Sequence, residues 1–469
     1  MATVSKNIFW QSISAFLQIY TGGIIFILLA KVLSIEDFGM LTFGFSFATL
    51  LATCLDFGHS LMIMKDLPQN IFPREKYIMN TLAQKVLLMV VFCSLFLVYL
   101  ISFYSGEWRI IGEIFVLFAI LTSYSLYLQA VLRVKNKFRD ASLSILLYSI
   151  IITVLMFLVY RGTLDTLGFI KAMVFARFLQ LASTMVFCKE IFIKNWYDKR
   201  IQKHLLKYSW SYGAQFIFGT FYFMVDTQII ALLLNAEDVA LYQSIFRVVY
   251  ILLIVSDIAS NVLLPYLSSK YFNESSIDEI STNIIYFLLV LGCLLFISFS
   301  FFYKEIIELL YTPEYRKAFP LVIPLSLLVV IRTVTSLYGT LLTISNNQVN
   351  RVKVVFLSML LSISLNLILI PYYGILGSAW ISVGVHLILF MGYVWYSKKD
   401  FPSIELFSKK NILVISITVT ILLIEKSFNY NIIISTALIV LWGAIILFLM
   451  KKYEMLPVFK QILNDKGVV

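Results

Sequence analysis

The sequence predicts an all-α polytopic membrane protein with about 14 transmembrane helices, and three observations support that fold class. The chain has 469 residues, of which 60% are hydrophobic and 13% are charged, and its mean hydropathy is +0.90. Apolar runs of about 20 residues recur from end to end, which is the length an α-helix needs to cross a bilayer core of roughly 30 Å. These runs are not the alternating segments of about ten residues that are typical of a membrane β-barrel.

Fourteen apolar segments qualify as membrane spans. The thirteenth is the weakest, because Glu425 and Lys426 shorten it. The predicted spans are residues 9–31, 38–58, 79–103, 109–132, 141–161, 167–188, 208–234, 242–266, 282–303, 319–344, 354–373, 376–397, 412–427 and 430–450.

The net charge of +11 indicates topology rather than binding to nucleic acid. If the N-terminus is cytoplasmic, 25 basic residues fall in cytoplasmic segments and 7 in segments on the other side. Cytoplasmic loops of membrane proteins carry an excess of Lys and Arg. We therefore expect both termini to be cytoplasmic.

The second half of the sequence repeats features of the first half at a nearly constant offset. Asn136 corresponds to Asn346, and each is followed by a new span. Leu167-Gly168 at the start of span six corresponds to Leu376-Gly377 at the start of span twelve. The repeat predicts an N-terminal six-helix half (residues 1–188), a basic cytoplasmic linker (189–207), a C-terminal six-helix half (208–397), and an extra helix pair with a tail (398–469). Parallel repeats of this kind predict a transporter with a central cavity near the membrane midplane.

Polar residues recur at helical spacing within several spans. Steps of three and four residues place each set on one face of its helix. Small and hydroxyl residues also help helices to pack in lipid, so helix packing is the alternative to a cavity lining. The sets are Gln11, Ser14, Gln18 and Thr21 in span one; Thr122, Ser125 and Gln129 in span four; Arg177, Gln180 and Thr184 in span six; Arg332, Thr335, Ser336, Gly339 and Thr343 in span ten; and Ser378, Ser382 and His386 in span twelve.

Charged residues within spans are the strongest candidates for a functional site, because a charge in hydrocarbon is costly and rarely faces lipid. The basic candidates are Lys85, Lys171, Arg177, Arg247 and Arg332, and the acidic ones in mid-span are Asp226 and Asp257. The basic excess predicts a cationic cavity that attracts an anionic solute, and arginine binds phosphate oxygens in pairs. Asp226 and Asp257 are expected to be either counter-ions or ion-coupling groups.

Motifs for enzymes, cofactors and metals are not found in the sequence. There is no G-x-x-x-x-G-K-[ST], H-E-x-x-H or G-x-S-x-G motif, so we expect a protein that is not an enzyme and that uses neither a cofactor nor a metal. His59 and His204 are expected to be solvated loop residues, and His386 to be either packed or part of a proton relay. The four cysteines are expected to be packing residues.

Several short motifs resemble those of the polysaccharide transporter family, specifically the O-antigen (Wzx-type) flippases of the multidrug/oligosaccharidyl-lipid/polysaccharide exporter superfamily. The likeness covers roughly residues 5–397, and the order and spacing of the motifs are its strongest part. The motifs are KNIFWQSISAFLQIYTGGIIFILLAKVLSIEDFGML at the start, Leu55-Asp56-Phe57-Gly58, Val225-Asp226 with Tyr242, Leu264-Pro265, and IPYYGILGSA from Ile370.

The resemblance implies transport of an undecaprenyl-pyrophosphate-linked oligosaccharide across a bacterial cytoplasmic (inner) membrane by alternating access. The pyrophosphate would suit Arg177, Arg332 and Lys171, with Lys85 and Arg247 as further cationic candidates. The sugars would suit Gln18, Gln180 and the hydroxyl stripes. Membrane lipid, a polysaccharide polymerase and a chain-length regulator are the other partners that it implies.

Two other functions compete with this interpretation. A cation-coupled multidrug extruder of the same superfamily would favour a more acidic cavity, which the basic excess in the spans disfavours. A membrane polysaccharide polymerase would need a large loop outside the cytoplasm, and no such loop exceeds about sixteen residues. The sequence therefore favours the flippase.

Overall fold

The computed structural model describes residues 2–69, 71–189, 197–271, 277–427 and 432–452, and these ranges contain helices but no strand. Part of the predicted linker (190–196) and most of the predicted tail (453–469) lie outside the described residues. The α-helices are α1 (Ala2–Ile19), α2 (Ile25–Ala30), α3 (Ile35–Asp56), α4 (His59–Asp66), α5 (Arg74–Phe103), α6 (Gly106–Val134), α7 (Phe138–Tyr160), α8 (Thr166–Phe187), α9 (Lys199–Leu233), α10 (Ala236–Tyr271), α11 (Ile277–Leu310), α12 (Val322–Ile344), α13 (Gln348–Ser397), α14 (Lys409–Ser427) and α15 (Ile432–Lys452).

The predicted all-α polytopic membrane fold is confirmed. In the described part of the chain, 12 helices are long and apolar enough to cross a membrane. The first span consists of α1 and α2, joined by a π-helical turn at Tyr20–Ile24. Helix α14 is not among the 12, because charged residues occupy both of its ends.

Predicted spans eleven and twelve correspond to the two arms of α13, which together cover 50 residues. At 1.5 Å per residue a straight helix of this length would measure about 75 Å, more than twice the thickness of a bilayer core. Helix α13 is instead kinked at Gly374, whose backbone angles are φ 57° and ψ −151°. Only glycine adopts this conformation readily, and Pro371 just before it removes one helical hydrogen bond. The kink divides α13 into two arms, each long enough to cross a membrane.

The repeated sequence features have matching backbone structures. Asn136 and Asn346 have φ values of 58° and 57°. The amide of Lys137 donates to the carbonyl oxygen of Leu132 at 2.8 Å, and the amide of Asn347 donates to that of Leu342 at 2.9 Å. A hydrogen bond of this kind is the Schellman ending of a helix. Ser34 and Asn235 also cap α3 and α10 alike, because each side-chain oxygen accepts a hydrogen bond from the amide three residues later.

The chain forms two compact units. The first unit contains Met1–Gln243 and Asn366–Gly374, and the second contains Ser244–Leu365 and Ile375–Val469. Helix α9 belongs to the first unit, whereas the sequence repeat assigns it to the C-terminal half. The boundaries of the two predicted halves stay a prediction.

Five spans of the first unit surround a common space: the span of α1 and α2, and the spans α3, α6, α7 and α8. Helix α3 packs against α6, α6 and α7 both pack against α8, and α1 packs against α7. Gly44 permits the close approach of α3 to α6, because a Cβ atom there would overlap the ring of Phe115 on α6. The side chains on the inner faces of these spans therefore meet inside the unit.

We expect Gly374→Ala to destabilise the protein by about 1–3 kcal/mol, because alanine is strained at this backbone conformation. A Cβ atom at residue 374 would meet no neighbour within 4 Å, so the loss would come from the backbone alone. Gly384→Ala is the matched control: it lies on the same helix, also in open space, and its φ is not positive. Thermal unfolding of the detergent-solubilised variants measures the difference, and equal melting temperatures would contradict this account of the kink.

Candidate functional site

A cavity of about 160 Å³ lies inside the first unit, between α1, α3, α6, α7 and α8. Gln18, Phe45, Tyr148 and Arg177 each lie near the middle of their spans, so the cavity lies about halfway along the bundle. It is open beside Gln18, whose side chain is exposed. The lining includes one cationic side chain, three carboxamides and three aliphatic hydroxyls. The lining residues are Gln18, Thr21, Gly22, Phe45, Thr122, Ser125, Leu126, Gln129, Ile145, Tyr148, Arg177 and Gln180. No carboxylate is present among the described residues that form this lining.

Arg177 provides the positive charge of the cavity. Its Nη1 donates to Oε1 of Gln180 at 2.6 Å, one helical turn away on α8. Its guanidinium carbon lies 3.7 Å from the ring centroid of Tyr148 and 4.8 Å from that of Phe118. Aromatic faces attract cations, so these rings hold the charge in place without neutralising it.

Four polar atoms around the cavity are buried and have no hydrogen-bond partner within the described residues. They are Nε of Arg177, Oγ1 of Thr122, Oγ of Ser125 and Oε1 of Gln129. Ser125 and Gln129 are only 1% and 2% exposed. A buried polar atom without a partner costs free energy, and in native proteins it commonly marks a place for water or a ligand. The polar residues that line the cavity come from the span of α1 and α2, from α6 and from α8.

The structure brings together three of the predicted site residues, Gln18, Arg177 and Gln180. The polar stripes of spans one, four and six converge on the same cavity. The sequence reasoning missed Tyr148, which covers the guanidinium of Arg177. A tyrosine in the middle of an apolar span was the available signal, because a buried tyrosine hydroxyl normally needs a polar neighbour.

Lys85 lies in an internal ion pair rather than in the cavity lining. Its Nζ lies 3.1 Å from Oδ1 of Asp56. It also donates to the carbonyl oxygen of Leu55 at 3.1 Å and to Oγ of Ser123 at 2.8 Å. These contacts use all three donors of the ammonium. Since Asp56 also accepts a hydrogen bond from the Ser60 amide at the start of α4, the ion pair fixes the α3–α4 turn against α5 and α6.

Asp226 is buried in α9 and hydrogen-bonded within the first unit. It accepts hydrogen bonds from Oη of Tyr242 at 2.9 Å and from Nδ2 of Asn366 at 3.1 Å. The acid and the tyrosine that carry part of the family resemblance are thus in direct contact. The side chain of Asp257, the second acidic candidate, lies outside the described residues.

The other cationic candidates are located elsewhere. Lys171 is exposed on α8 and does not line the cavity. Arg247 is buried in α10 and Arg332 is half-buried in α12, both in the second unit. His386, also in the second unit, lies with Nδ1 2.7 Å from the carbonyl oxygen of Ser382.

The expectation that His59 and His204 are solvated is wrong. His59 is fully buried, with Nε2 3.2 Å from Oε1 of Gln84, because the unpredicted helix α4 folds the segment back onto the bundle. Burial and, second, the nearby Lys85 ammonium lower the pKa of His59 to about 4, so His59 is neutral at pH 7. His204 is half-buried, with Nε2 2.9 Å from Oδ2 of Asp66.

The fold resembles that of solved membrane transporters. The structure superposes with a TM-score of 0.73 on lipid II flippase MurJ in an inward closed conformation, with 16% identity, covering 94% of this chain and 98% of that one. It superposes with a TM-score of 0.66 on an inward-facing multidrug resistance MATE family transporter, with 13% identity, covering 86% of this chain and 99% of that one. At such low identities these likenesses establish the fold alone.

Sequence comparison establishes the family. Residues 4–271 match the polysaccharide biosynthesis protein family, and the chain belongs to it. A probable low-salt glycan biosynthesis flippase from Haloferax volcanii, Agl15, is 26% identical over 179 residues. This match spans 38% of the length of that relative and 38% of this chain.

We expect Lys85→Met to destabilise the protein by about 3–5 kcal/mol, because it leaves the Asp56 carboxylate without its cation in a largely buried position. The double variant Lys85→Met/Asp56→Asn should recover part of the loss, since neither charge then remains. Membrane abundance and thermal unfolding in detergent measure both effects, with Lys171→Met as an exposed control. Wild-type stability of Lys85→Met would show that the ion pair does not hold the α3–α4 turn.

Proposed function

We propose that this protein is a flippase that moves a lipid-linked oligosaccharide from the cytoplasmic to the opposite leaflet of a bacterial cytoplasmic membrane. The single observation that carries the proposal is the cavity around Arg177, which offers one cation, three carboxamides and three aliphatic hydroxyls within a membrane-spanning bundle. The similarity to a lipid II flippase and to a probable glycan biosynthesis flippase supports the same class of substrate.

The cavity lowers the main barrier to crossing. Moving a sugar into hydrocarbon costs several kcal/mol for each hydroxyl that loses its hydrogen bonds to water. Gln18, Gln129, Gln180, Thr122 and Ser125 would replace part of that lost hydrogen bonding. The lipid tail needs no such replacement and would remain in the bilayer while the head group passes through the protein.

The proposed carrier is undecaprenyl pyrophosphate, and the proposed mechanism is alternating access between the two halves of the chain. The excess of basic residues in the loops assigned to the cytoplasm supports an orientation with both termini inside. In this orientation the head group enters from the cytoplasm, where lipid-linked sugars are assembled. Asp226 and Asp257 are candidates for ion-coupling groups or counter-ions in this cycle.

The lining of the cavity disfavours a multidrug extruder. A cationic drug would meet Arg177 without a carboxylate in the lining to neutralise either charge. Like charges in a region of low dielectric constant repel strongly. An anionic or neutral polyol suits the same lining better.

Deletion of the gene in its host tests the proposed function. We expect the loss of a surface glycan and the accumulation of lipid-linked single repeat units in the cytoplasmic leaflet, both reversed when the gene is restored. Intact surface glycan together with new sensitivity to cationic drugs would contradict the flippase and favour the extruder.

The variant Arg177→Gln is expected to slow export roughly ten- to a hundredfold, because it removes charged hydrogen bonds of about 1.5–3 kcal/mol. Arg177→Lys should keep part of the activity, since it keeps the charge. Arg161→Gln is the matched control: this arginine is exposed at the end of α7, where it stacks on Phe157. Export rates are compared at equal membrane abundance, and normal export by Arg177→Gln would remove this cavity from the transport path.

A further inference from the structure

Helix α9 is longer than a membrane crossing requires. It has 35 residues, so at 1.5 Å per residue it measures about 52 Å, against roughly 30 Å for the hydrocarbon core. Its apolar stretch begins near Tyr208, and residues 199–207 before it include four basic residues and no acidic one. By length and composition these residues, which we call the α9 extension, lie at the level of the lipid head groups.

One side of the α9 extension is fixed to the first unit. Leu205 is fully buried. Nε2 of Gln202 donates to the carbonyl oxygen and to Oδ1 of Asn80 on α5, at 2.9 Å and 3.1 Å. Nε2 of His204 lies 2.9 Å from Oδ2 of Asp66 on α4. Because α4 and α5 hold this side in place, the opposite side is a defined outer face.

The outer face of the α9 extension is cationic. Lys199, Lys203 and Lys207 follow one another at steps of four residues, so they share one face of the helix. All three are exposed, and none forms an ion pair within the described residues. The carboxylate of Asp198 lies 3.3 Å from the guanidinium of Arg200, a cation outside this row. The three lysines therefore present charge that the described chain does not balance.

Apolar side chains continue the same face toward the membrane. Leu206 and Trp210 lie three and seven residues after Lys203, and they are 63% and 59% exposed. Tryptophan is enriched where the hydrocarbon meets the head groups. A phospholipid matches this order, because its phosphate is charged and its acyl chains begin directly below. A nucleic acid or an acidic peptide would match the lysines but not the apolar side chains.

We propose that the outer face of the α9 extension binds the head groups of anionic phospholipids, such as phosphatidylglycerol, in the adjacent leaflet. The phosphate oxygens accept hydrogen bonds from the ammonium groups of Lys199, Lys203 and Lys207, and the acyl chains pack on Leu206 and Trp210. In the orientation proposed above this is the cytoplasmic leaflet. The binding surface does not depend on which solute the protein transports.

Native mass spectrometry of the full chain in detergent, with equal amounts of phosphatidylglycerol and phosphatidylcholine, tests the surface. We expect the wild-type protein to retain phosphatidylglycerol in preference. Replacing the three lysines by glutamine should lower that preference roughly tenfold or more, since each basic residue near an anionic lipid surface adds to the attraction. Replacing them by arginine should preserve it. The variants are Lys199→Gln/Lys203→Gln/Lys207→Gln and Lys199→Arg/Lys203→Arg/Lys207→Arg.

The matched control removes the same charge elsewhere. Lys398, Lys399 and Lys409 are exposed in a segment that the charge bias assigns to the same side of the membrane. The variant Lys398→Gln/Lys399→Gln/Lys409→Gln should keep the wild-type preference. Thermal unfolding without added lipid should be unchanged in every variant, because all six side chains point away from the buried interior.

Four results would overturn the proposal. Equal retention of the two lipids by the wild-type protein would exclude recognition of the anionic head group. Unchanged retention after the lysines of the α9 extension are replaced by glutamine would place the bound lipid elsewhere. An equal loss in the control variant would show attraction to net charge rather than to this face. Displacement of the lipid by excess inorganic phosphate would show a site for free phosphate. None of these results bears on the flippase, which is tested by export of the glycan.

Discussion

The position of Arg177 in mid-span is a strong constraint on the first unit. A guanidinium in the middle of a membrane-spanning helix must face the interior of the bundle, since exposure to lipid costs several kcal/mol. Here it faces Tyr148, Phe118 and Gln180, which orient the charge but leave it formally uncompensated. Polar residues from α1 and α6 are drawn to the same place, because hydrogen-bonding groups in a bilayer must find partners inside the protein. The cavity and its chemistry follow from that requirement.

Other internal charges in the same unit have partners on the chain. The Lys85 ammonium is matched by Asp56 and two further oxygens, and Asp226 is held by Tyr242 and Asn366. Such sites resist change, because removing one partner leaves the other buried and unsatisfied. Arg177 differs in that its contacts are aromatic rings and a carboxamide. This contrast supports Arg177 as the ligand-binding charge of the proposed function.

The sequence predicted the class of fold well, because the length and hydrophobicity of membrane spans are set by the bilayer itself. It also indicated Gln18, Arg177 and Gln180 as neighbours, since helical spacing places polar residues on one face.

Contacts that depend on tertiary packing were harder to foresee. The sequence treated Lys85 as a cavity residue, although the structure pairs it with Asp56, 29 residues away in the chain. Likewise, nothing in the local sequence around His59 shows that a short helix folds it into the bundle. The two predicted spans at 354–373 and 376–397 correspond to the two arms of α13, because Gly374 between them has non-helical backbone angles.

A cryo-electron microscopy structure of the protein in a lipid nanodisc, with its native lipid-linked oligosaccharide bound, tests the central claim most directly. The account predicts density for the polar head group in the cavity, with an oxygen of the ligand within hydrogen-bond distance of the Arg177 guanidinium. A head group bound elsewhere, with the cavity holding only water, would contradict it.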